Sequence, residues 1–262
     1  MSLKNPFVIM LKKLTLLMLI LLSAGACASE PVRIYYSKET AEKTYALADE
    51  YYAKEQYEDA AEYYRNYIRY YPDGPMVADA VLRRLECGFK LIYGGDTDGI
   101  DIIKEIITDY PQEDFADESL LKLAGYYFSS GEYDTAIIEY SALLDEYPES
   151  PWCGTAQLQI GTAYLNLYRG REYDPSPLKQ ARKNMLMYLA KYKLDDPDKT
   201  ILVNEKLALI NEKEAERDWY ASEFYLKRDK TDAARIYLQN IITTYSATSW
   251  AEKAAEKLKT IK

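Results

Sequence analysis

Histidine is absent from this 262-residue sequence, and cysteine occurs only three times. Histidine is the commonest general base and metal-binding side chain near neutral pH, so its absence argues against many hydrolases and metalloenzymes. Cys27, Cys87 and Cys153 lie too far apart to form a metal-binding motif of the CxxC type. Neither a nucleophile elbow nor a phosphate-binding loop occurs. The sequence therefore predicts a protein that is not an enzyme and that uses no metal or other cofactor.

Positive charge is also scarce. The chain carries 33 Lys and Arg against 42 Asp and Glu, which gives a formal net charge of −9. An acidic surface repels the phosphate backbone of nucleic acids, so this balance argues against a nucleic-acid partner.

Long apolar runs are missing except near the N-terminus. Lys12 and Lys13 precede the run Leu14 to Leu22, and the small residues Ser23 to Ala26 then lead to Cys27. A basic start, a short apolar run and small residues indicate a secretory signal, and the run is about half of the roughly 20 residues that a membrane span needs. The small residues before Cys27 resemble the lipobox of bacterial lipoproteins, which implies lipidation of Cys27. The alternative is an ordinary signal peptide cut after Ala26 or Ala28, which leaves Cys27 a free thiol.

Residues Glu118 to Pro148 carry the clearest pattern in the rest of the chain. Apolar residues follow helical spacing on both sides of Ser130-Gly131, at Leu120, Leu123, Ala124, Tyr127, Ala136, Ile137, Tyr140, Leu143 and Leu144. The pattern predicts two short helices joined by a turn, with Glu139 on the polar face. Such a hairpin needs neighbours on both sides to bury its apolar faces, as in a solenoid.

The same spacing recurs elsewhere in the chain. Seven positions repeat without a gap, at Leu47, Ala48, Tyr51, Ala60, Tyr64, Tyr67 and Pro72. A more divergent copy ends at Pro111, a fourth has an expanded turn from Tyr168 to Pro177, and a fifth is predicted at Tyr220, Ala221, Phe224, Ala233, Tyr237 and Tyr245. The pattern resembles the tetratricopeptide repeat. We therefore predict an all-α, right-handed superhelical solenoid of about five tetratricopeptide-type hairpins.

These observations divide the chain into three parts. We predict a lipoprotein signal peptide over residues 1–26, a lipidated tether over 27–38 and the repeat array over 39–262, which ends in a capping helix from Trp250 to Ile261. Cys87 and Cys153 are predicted to be buried, free thiols, since their separation in the array exceeds the reach of a disulfide.

Tyrosine is abundant, with 27 copies against five Phe and three Trp. The first repeat holds more tyrosines than one core face accommodates. Tyr45 and Tyr52 are seven residues apart, on the side of the first helix that lines the concave surface in tetratricopeptide arrays. We predict that this pair lines a binding groove, with core packing as the alternative.

A closer resemblance rests on particular segments: the lipobox cysteine, the first repeat ending in YYP, the loop YDPSP (173–177) and the stretch from Ala221 to Tyr245, which contains FYLKR. Together they resemble the BamD family of the outer-membrane β-barrel assembly (BAM) machinery. The likeness spans the mature chain, but Asp229 stands where the family often has glycine, and Tyr245-Ser246 stands in place of tyrosine-proline.

This resemblance implies a scaffold lipoprotein of the outer membrane that faces the periplasm through its lipid anchor (palmitate among the acyl chains). The expected partners are unfolded outer-membrane β-barrel proteins in the N-terminal groove, the BamA POTRA domains at the C-terminal repeats, and other BAM lipoproteins. We expect Arg228 and Arg235, near the start of the last hairpin, to bind BamA. The alternative is a periplasmic tetratricopeptide adaptor of the cell-division (CpoB-like) type, although this chain lacks the coiled-coil heptads typical of that class.

Overall fold

The computed structural model describes residues 38–261, and within that range it contains eleven α-helices and no β-strand. The helices are α1 (Lys38–Ala53), α2 (Tyr57–Tyr70), α3 (Val77–Gly94), α4 (Asp98–Asp109), α5 (Ala116–Ser129), α6 (Tyr133–Glu146), α7 (Cys153–Leu167), α8 (Ser176–Lys191), α9 (Pro197–Leu226), α10 (Thr231–Thr244) and α11 (Ser249–Thr260). Each helix packs against the next along the chain, which gives five hairpins from α1–α2 to α9–α10, and α11 closes the array against α9 and α10. The predicted signal peptide and tether lie outside the described residues.

The α5–α6 hairpin shows why these residues form the repeat. Ala124 and Ala136 are fully buried where the two helices cross, since only small side chains allow so close an approach. Gly131 occupies the left-handed region at φ 81°, which glycine adopts without the penalty paid by other residues. The remaining apolar positions of the pattern face inward, so the repeat predicted over this stretch is confirmed.

The hairpins bury their apolar faces against one another rather than separately. The largest hydrophobic cluster extends from Val81 of α3 to Ile160 of α7, and so crosses three hairpins. A second cluster joins α1, α2 and α3 through Tyr64, Tyr67 and Cys87. Shared cores of this kind make each hairpin depend on its neighbours, as expected for a helical solenoid. Cys87 and Cys153 are both buried free thiols, as predicted.

The last hairpin corrects the predicted register by one residue. Ser222, Ala234 and Leu238 are fully buried in α9 and α10, whereas the predicted core residues Tyr220 and Phe224 are exposed. The turn residue at φ 58° is Asp229, and the crossing residues keep the same distance from it as Ala124 and Ala136 keep from Gly131. Aromatic residues dominate the apolar pattern of α9, so the predicted repeat matched them to the core positions of α5. The predicted buried face of α9 was therefore displaced by one residue.

Glu139 gives a second correction, because it does not lie on a polar face. It is buried in α6, and its carboxylate accepts a hydrogen bond from the Lys104 ammonium of α4 at 2.6 Å. A buried carboxylate is tolerated only with such a partner. Since α4 belongs to the preceding hairpin, a pattern within one repeat does not predict this contact.

Helix α9 is unusually long and belongs to two parts of the array. Asp196 caps its N-terminus by accepting a hydrogen bond from the Lys199 backbone, and Pro197 occupies the first turn. Its first half packs on α8 through Val203 and Ile210, and its second half pairs with α10 and α11. No helix among residues 38–261 is long and apolar enough to cross a membrane.

The expanded loop between α7 and α8 folds back onto the second half of α9. The Arg217 guanidinium donates to the carbonyl oxygens of Arg171 and Tyr173 at 2.8 and 3.0 Å. Arg171 in turn lies 3.5 Å from the centre of the Tyr220 ring and pairs with Glu216. The loop therefore joins the fourth hairpin to the last one and positions a cation over an exposed aromatic ring.

Candidate functional site: an apolar groove and a terminal aromatic surface

Tyr45 is buried, so the prediction that it is surplus to the core is wrong. Its ring is 8% exposed and packs edge-on against Tyr64 and Tyr67, with centroid distances of 5.6 and 5.4 Å. Its hydroxyl donates a hydrogen bond to Asp79 of α3. A tyrosine ring is readily buried when its hydroxyl reaches an acceptor, so the extra tyrosines enlarge the core instead of lining a surface. Tyr45 therefore packs α1 against α2 and α3.

Tyr52 lies in a different environment at the end of α1. Its ring is half-buried, packs edge-on against Tyr57 and lies 5.2 Å from the Arg83 guanidinium of α3. Burial, and then the neighbouring Glu86 carboxylate, raise the pKa of the Tyr52 hydroxyl to about 12. The Glu86 carboxylate beside Tyr52 also lines the groove described next, and the role of Tyr52 in client binding stays a prediction.

A groove runs between α3 and α5, the first helices of the second and third hairpins. It consists of two adjoining clefts of about 440 and 370 Å³ that share Leu82 and Phe115. Leu82 is 47% exposed to solvent, and the side chains around it in the groove are mostly apolar. The other apolar side chains that line it are Pro75, Val77, Val81, Tyr110, Leu85, Phe89 and Tyr93. A groove of this composition suits an extended apolar segment rather than a polar small molecule.

The rim of the groove is mainly acidic. Glu86, Glu113 and Glu118 all line it, and the one lysine among the lining residues, Lys122, pairs with Glu118 at 2.8 Å. The Lys122 ammonium also lies 5.9 Å from the centre of the Phe89 ring. A partner segment therefore meets an apolar floor and a rim that disfavours acidic side chains.

The sequence contained a signal for this groove. Leu82, Phe89 and Tyr93 follow helical spacing on α3 beside the buried stripe of Val81, Leu85 and Ile92. A second apolar stripe on one helix indicates a surface that is not covered by the helix's own hairpin. The groove predicted from the sequence was placed at Tyr45 and Tyr52 of α1, and α3 was not included in it.

A second candidate surface lies at the other end of the array. We call it the terminal aromatic surface and define it by Tyr220, Phe224 and Trp250 with the cations Arg171 and Arg228. Tyr220 and Phe224 are both exposed, and Tyr220 packs edge-on against Trp250 at 6.3 Å. The Arg228 guanidinium lies 3.6 Å from the centre of the Phe224 ring, as Arg171 does over Tyr220. Arginine stacked on a ring keeps N–H groups for a carboxylate; Arg171 already pairs with Glu216, so Arg228 is the cation of this surface that suits an acidic partner.

Arg235 does not belong to the terminal aromatic surface. It is half-buried in α10, and its guanidinium donates to the Ile261 carbonyl at 2.9 Å. It also borders a shallow depression with Ile236 and Leu258. The structure thus gives Arg235 a role in holding the end of the chain, whereas Arg228 faces solvent.

Residues 97–261 match the model of the family YfiO, described as outer membrane lipoprotein, and residues 45–114 match a model of the tetratricopeptide repeat. The YfiO match covers more than half of the chain. The chain belongs to the YfiO family of outer membrane lipoproteins. The predicted BamD-like, tetratricopeptide-type protein is thereby confirmed.

The YfiO match contains the loop between α7 and α8, helix α9 and the whole terminal aromatic surface, whereas the tetratricopeptide match contains α3. The groove therefore lies where the two matches meet. Cys27, the predicted lipidation site, lies outside both matches and outside the described residues.

Solved structures match this chain at low similarity. MamA (residues 41 to the end) from Desulfovibrio magneticus RS-1 has a TM-score of 0.37 and 13% identity, and the match covers 79% of this chain and 96% of that chain. A putative kinesin light chain of Podosopora anserina with nearly identical TPR-like repeats has a TM-score of 0.36 and 11% identity, covering 84% and 96%. No curated protein is significantly similar in sequence.

Proposed function

We propose that this YfiO-family protein is a non-catalytic scaffold of the outer-membrane β-barrel assembly machinery, which holds unfolded barrel proteins in the α3–α5 groove and a BamA-like POTRA domain at the terminal aromatic surface. The observation that carries the proposal is the apolar groove, because a groove open along two helices accepts a chain segment. Family membership supports the outer-membrane setting.

The groove matches the expected client in shape and chemistry. A barrel strand alternates apolar and polar residues and ends in an aromatic side chain, so in extended form it presents a row of apolar anchors. The two clefts share Leu82 and Phe115 and so form adjacent apolar subsites. Anchors buried in such pockets commonly contribute about 2 kcal/mol or more to binding.

Titration of a C-terminal barrel-protein peptide tests the groove. Leu82→Asp is expected to weaken binding by about tenfold or more, since it places a charge on the apolar floor. Ile138→Asp is the control, because Ile138 is also solvent-exposed, at 65% against 47% for Leu82, and lies on α6 away from the groove. Equal affinities for the two variants would contradict client binding in this groove.

Contact with a POTRA domain is proposed for the terminal aromatic surface. Arg228 is free to meet a partner carboxylate, so Arg228→Glu is expected to reduce capture of BamA without lowering the melting temperature. Arg235→Glu is expected, unlike Arg228→Glu, to lower the melting temperature, because it removes the hydrogen bond to Ile261. Capture of BamA that is unaffected by Arg228→Glu would contradict this assignment.

The anchor is proposed at Cys27. Lipidation through its thiol holds the array on the periplasmic side of the outer membrane, and two or more acyl chains suffice for stable anchoring. Cys27→Ser is expected to release the protein from membranes, and mass spectrometry of the mature N-terminus checks it. An unmodified residue 28 or 29 at the N-terminus would contradict the anchor.

The alternative function, a cell-division adaptor, predicts a different set of partners. A pull-down with the wild-type chain separates the two: recovery of BamA and other BAM lipoproteins supports the assembly scaffold. Recovery of division or peptidoglycan-associated proteins without BamA supports the adaptor.

A further inference from the structure

Helix α8 has a charge pattern unlike the rest of this acidic chain. From Ser176 to Lys193 the sequence SPLKQARKNMLMYLAKYK contains five basic residues and no Asp or Glu. One of the five, Arg182, points toward α9, where it pairs with Glu214. The other four are exposed lysines, so α8 presents positive charge on the outside of a molecule whose net charge is −9.

Apolar side chains share that exposed face. Lys183, Met187 and Lys191 are spaced four residues apart, so they form one stripe along the helix. Leu186 lies beside the stripe, and Leu186 and Met187 are 50% and 46% exposed. The opposite face of α8 is the buried one, where Ala181 and Met185 join the core formed with α7 and α9. Among the described residues, no carboxylate forms an ion pair with Lys183 or Lys191.

The composition of this face distinguishes a lipid surface from a protein partner. Protein interfaces are enriched in aromatic residues, Met and Arg and depleted in Lys, and the rings and arginines of the terminal aromatic surface fit that composition. The α8 face has lysine and aliphatic side chains and no exposed aromatic ring. Helices that lie on anionic membranes combine these features: short aliphatic contact with the acyl boundary and lysines that attract the headgroups.

We propose that the outer face of α8, formed by Lys183, Leu186, Met187 and Lys191, rests on an anionic phospholipid surface. The contact is separate from the groove and from the terminal aromatic surface, and it depends on neither. Because the chain as a whole carries a net charge of −9, an anionic surface attracts α8 more strongly than it attracts an average face of the array. The contact therefore fixes which side of the array meets the membrane, which a single anchor at Cys27 does not do.

Photo-crosslinking in the full-length protein tests the proposal. Benzoylphenylalanine is placed at Met187, or at the more exposed Ile138 of α6 as the control, in protein reconstituted into vesicles of phosphatidylethanolamine with or without phosphatidylglycerol. We expect phospholipid adducts at position 187, detected by mass spectrometry, only when phosphatidylglycerol is present, and none at position 138. Each lysine near an anionic surface contributes about a factor of five to binding, so Lys183→Gln with Lys191→Gln is expected to lower the adduct ratio by up to about 30-fold.

A second double variant controls for the loss of two positive charges at any place in the chain. Lys253→Gln with Lys259→Gln removes two exposed lysines of α11 and the same net charge, and it is expected to leave the adduct ratio unchanged. Equal losses for the two double variants, equal adducts at positions 138 and 187, or a protein adduct at position 187 in native membranes in place of lipid would each overturn the proposal.

Discussion

The middle hairpin (α5–α6) and the last hairpin (α9–α10) have the same arrangement of helices and turn. They differ in the side chains that pack on an equivalent aromatic ring of the first helix. Tyr126 of α5 corresponds to Phe224 of α9 when the turn residues Gly131 and Asp229 are superposed. Tyr126 packs edge-on against Tyr93 of the second hairpin at 6.4 Å, whereas Phe224 is covered by the Arg228 guanidinium. The same position thus packs against a groove-lining tyrosine in one hairpin and carries a cation-covered ring in the other.

This difference comes from the neighbouring elements rather than from the hairpins themselves. In the middle of the array the preceding first helix, α3, supplies aromatic and aliphatic partners. At the end, the expanded loop before α8 lies over α9 and brings Arg171 onto Tyr220. One repeat therefore produces two surfaces with different chemistry, which suits a scaffold that binds an apolar segment and an acidic domain at once.

The largest expected effect tests whether both hairpins cross at the same register. Ala136→Leu and Ala234→Leu are each expected to lower the free energy of unfolding by about 1 to 3 kcal/mol, because both alanines are fully buried at the crossing. Ala233→Leu is the matched control, since its side chain is only half-buried. Urea unfolding measures all three. A larger loss for Ala233→Leu than for Ala234→Leu would restore the register predicted from the sequence.

A smaller effect is expected where the middle and last hairpins differ. Glu139 of α6 pairs with Lys104, whereas the corresponding residue of α10, Tyr237, stacks on Tyr225 at 5.6 Å. Glu139→Gln is expected to lower the free energy of unfolding by about 1 kcal/mol, between the values for exposed and buried ion pairs. Glu50→Gln breaks the exposed pair with Lys54 and should cost close to nothing. Equal melting temperatures for the two variants would show that burial of Glu139 has no energetic consequence.

The smallest effect concerns the turns. Glu55 and Asp229 take the place of Gly131 in the first and last hairpins, at φ 60° and 58°. Non-glycine residues are strained in this region, so Glu55→Gly and Asp229→Gly are each expected to raise the free energy of unfolding by about 0.5 to 1 kcal/mol. Gly131→Asp should lower it by a similar amount. Thermal unfolding of the three variants checks the signs, and a loss of stability in either glycine variant would show that the turn is not strained.

The fold was largely predictable because the repeat places small residues and aromatics at fixed distances from a turn. Ala48, Ala60, Ala124 and Ala136 were assigned to the crossings from spacing alone, and all four are fully buried. The last hairpin was misaligned because its turn carries Asp229, which does not stand out in the sequence as Gly131 does. A turn residue is therefore a better register marker than an aromatic, whose burial depends on the neighbouring hairpin.

The site was less predictable because it is formed between hairpins. Tyr45 has the spacing of a surface residue on α1, yet Asp79 of α3 accepts a hydrogen bond from its hydroxyl and allows its burial. The groove depends on the distance between α3 and α5, which no pattern within one repeat specifies. Sequence periodicity gives the faces of single helices, and contacts between repeats decide which of those faces stay open.

Simultaneous binding of the two partners to one molecule is the most direct test of two separate surfaces. The affinity of a C-terminal barrel-protein peptide is measured by titration, alone and with a saturating POTRA domain, for the wild type, Leu82→Asp and Arg228→Glu. The account predicts that the peptide binds with the same affinity in both conditions, that Leu82→Asp weakens only the peptide, and that Arg228→Glu weakens only the POTRA domain. Displacement of the peptide by the POTRA domain, or a variant that weakens both, would contradict it.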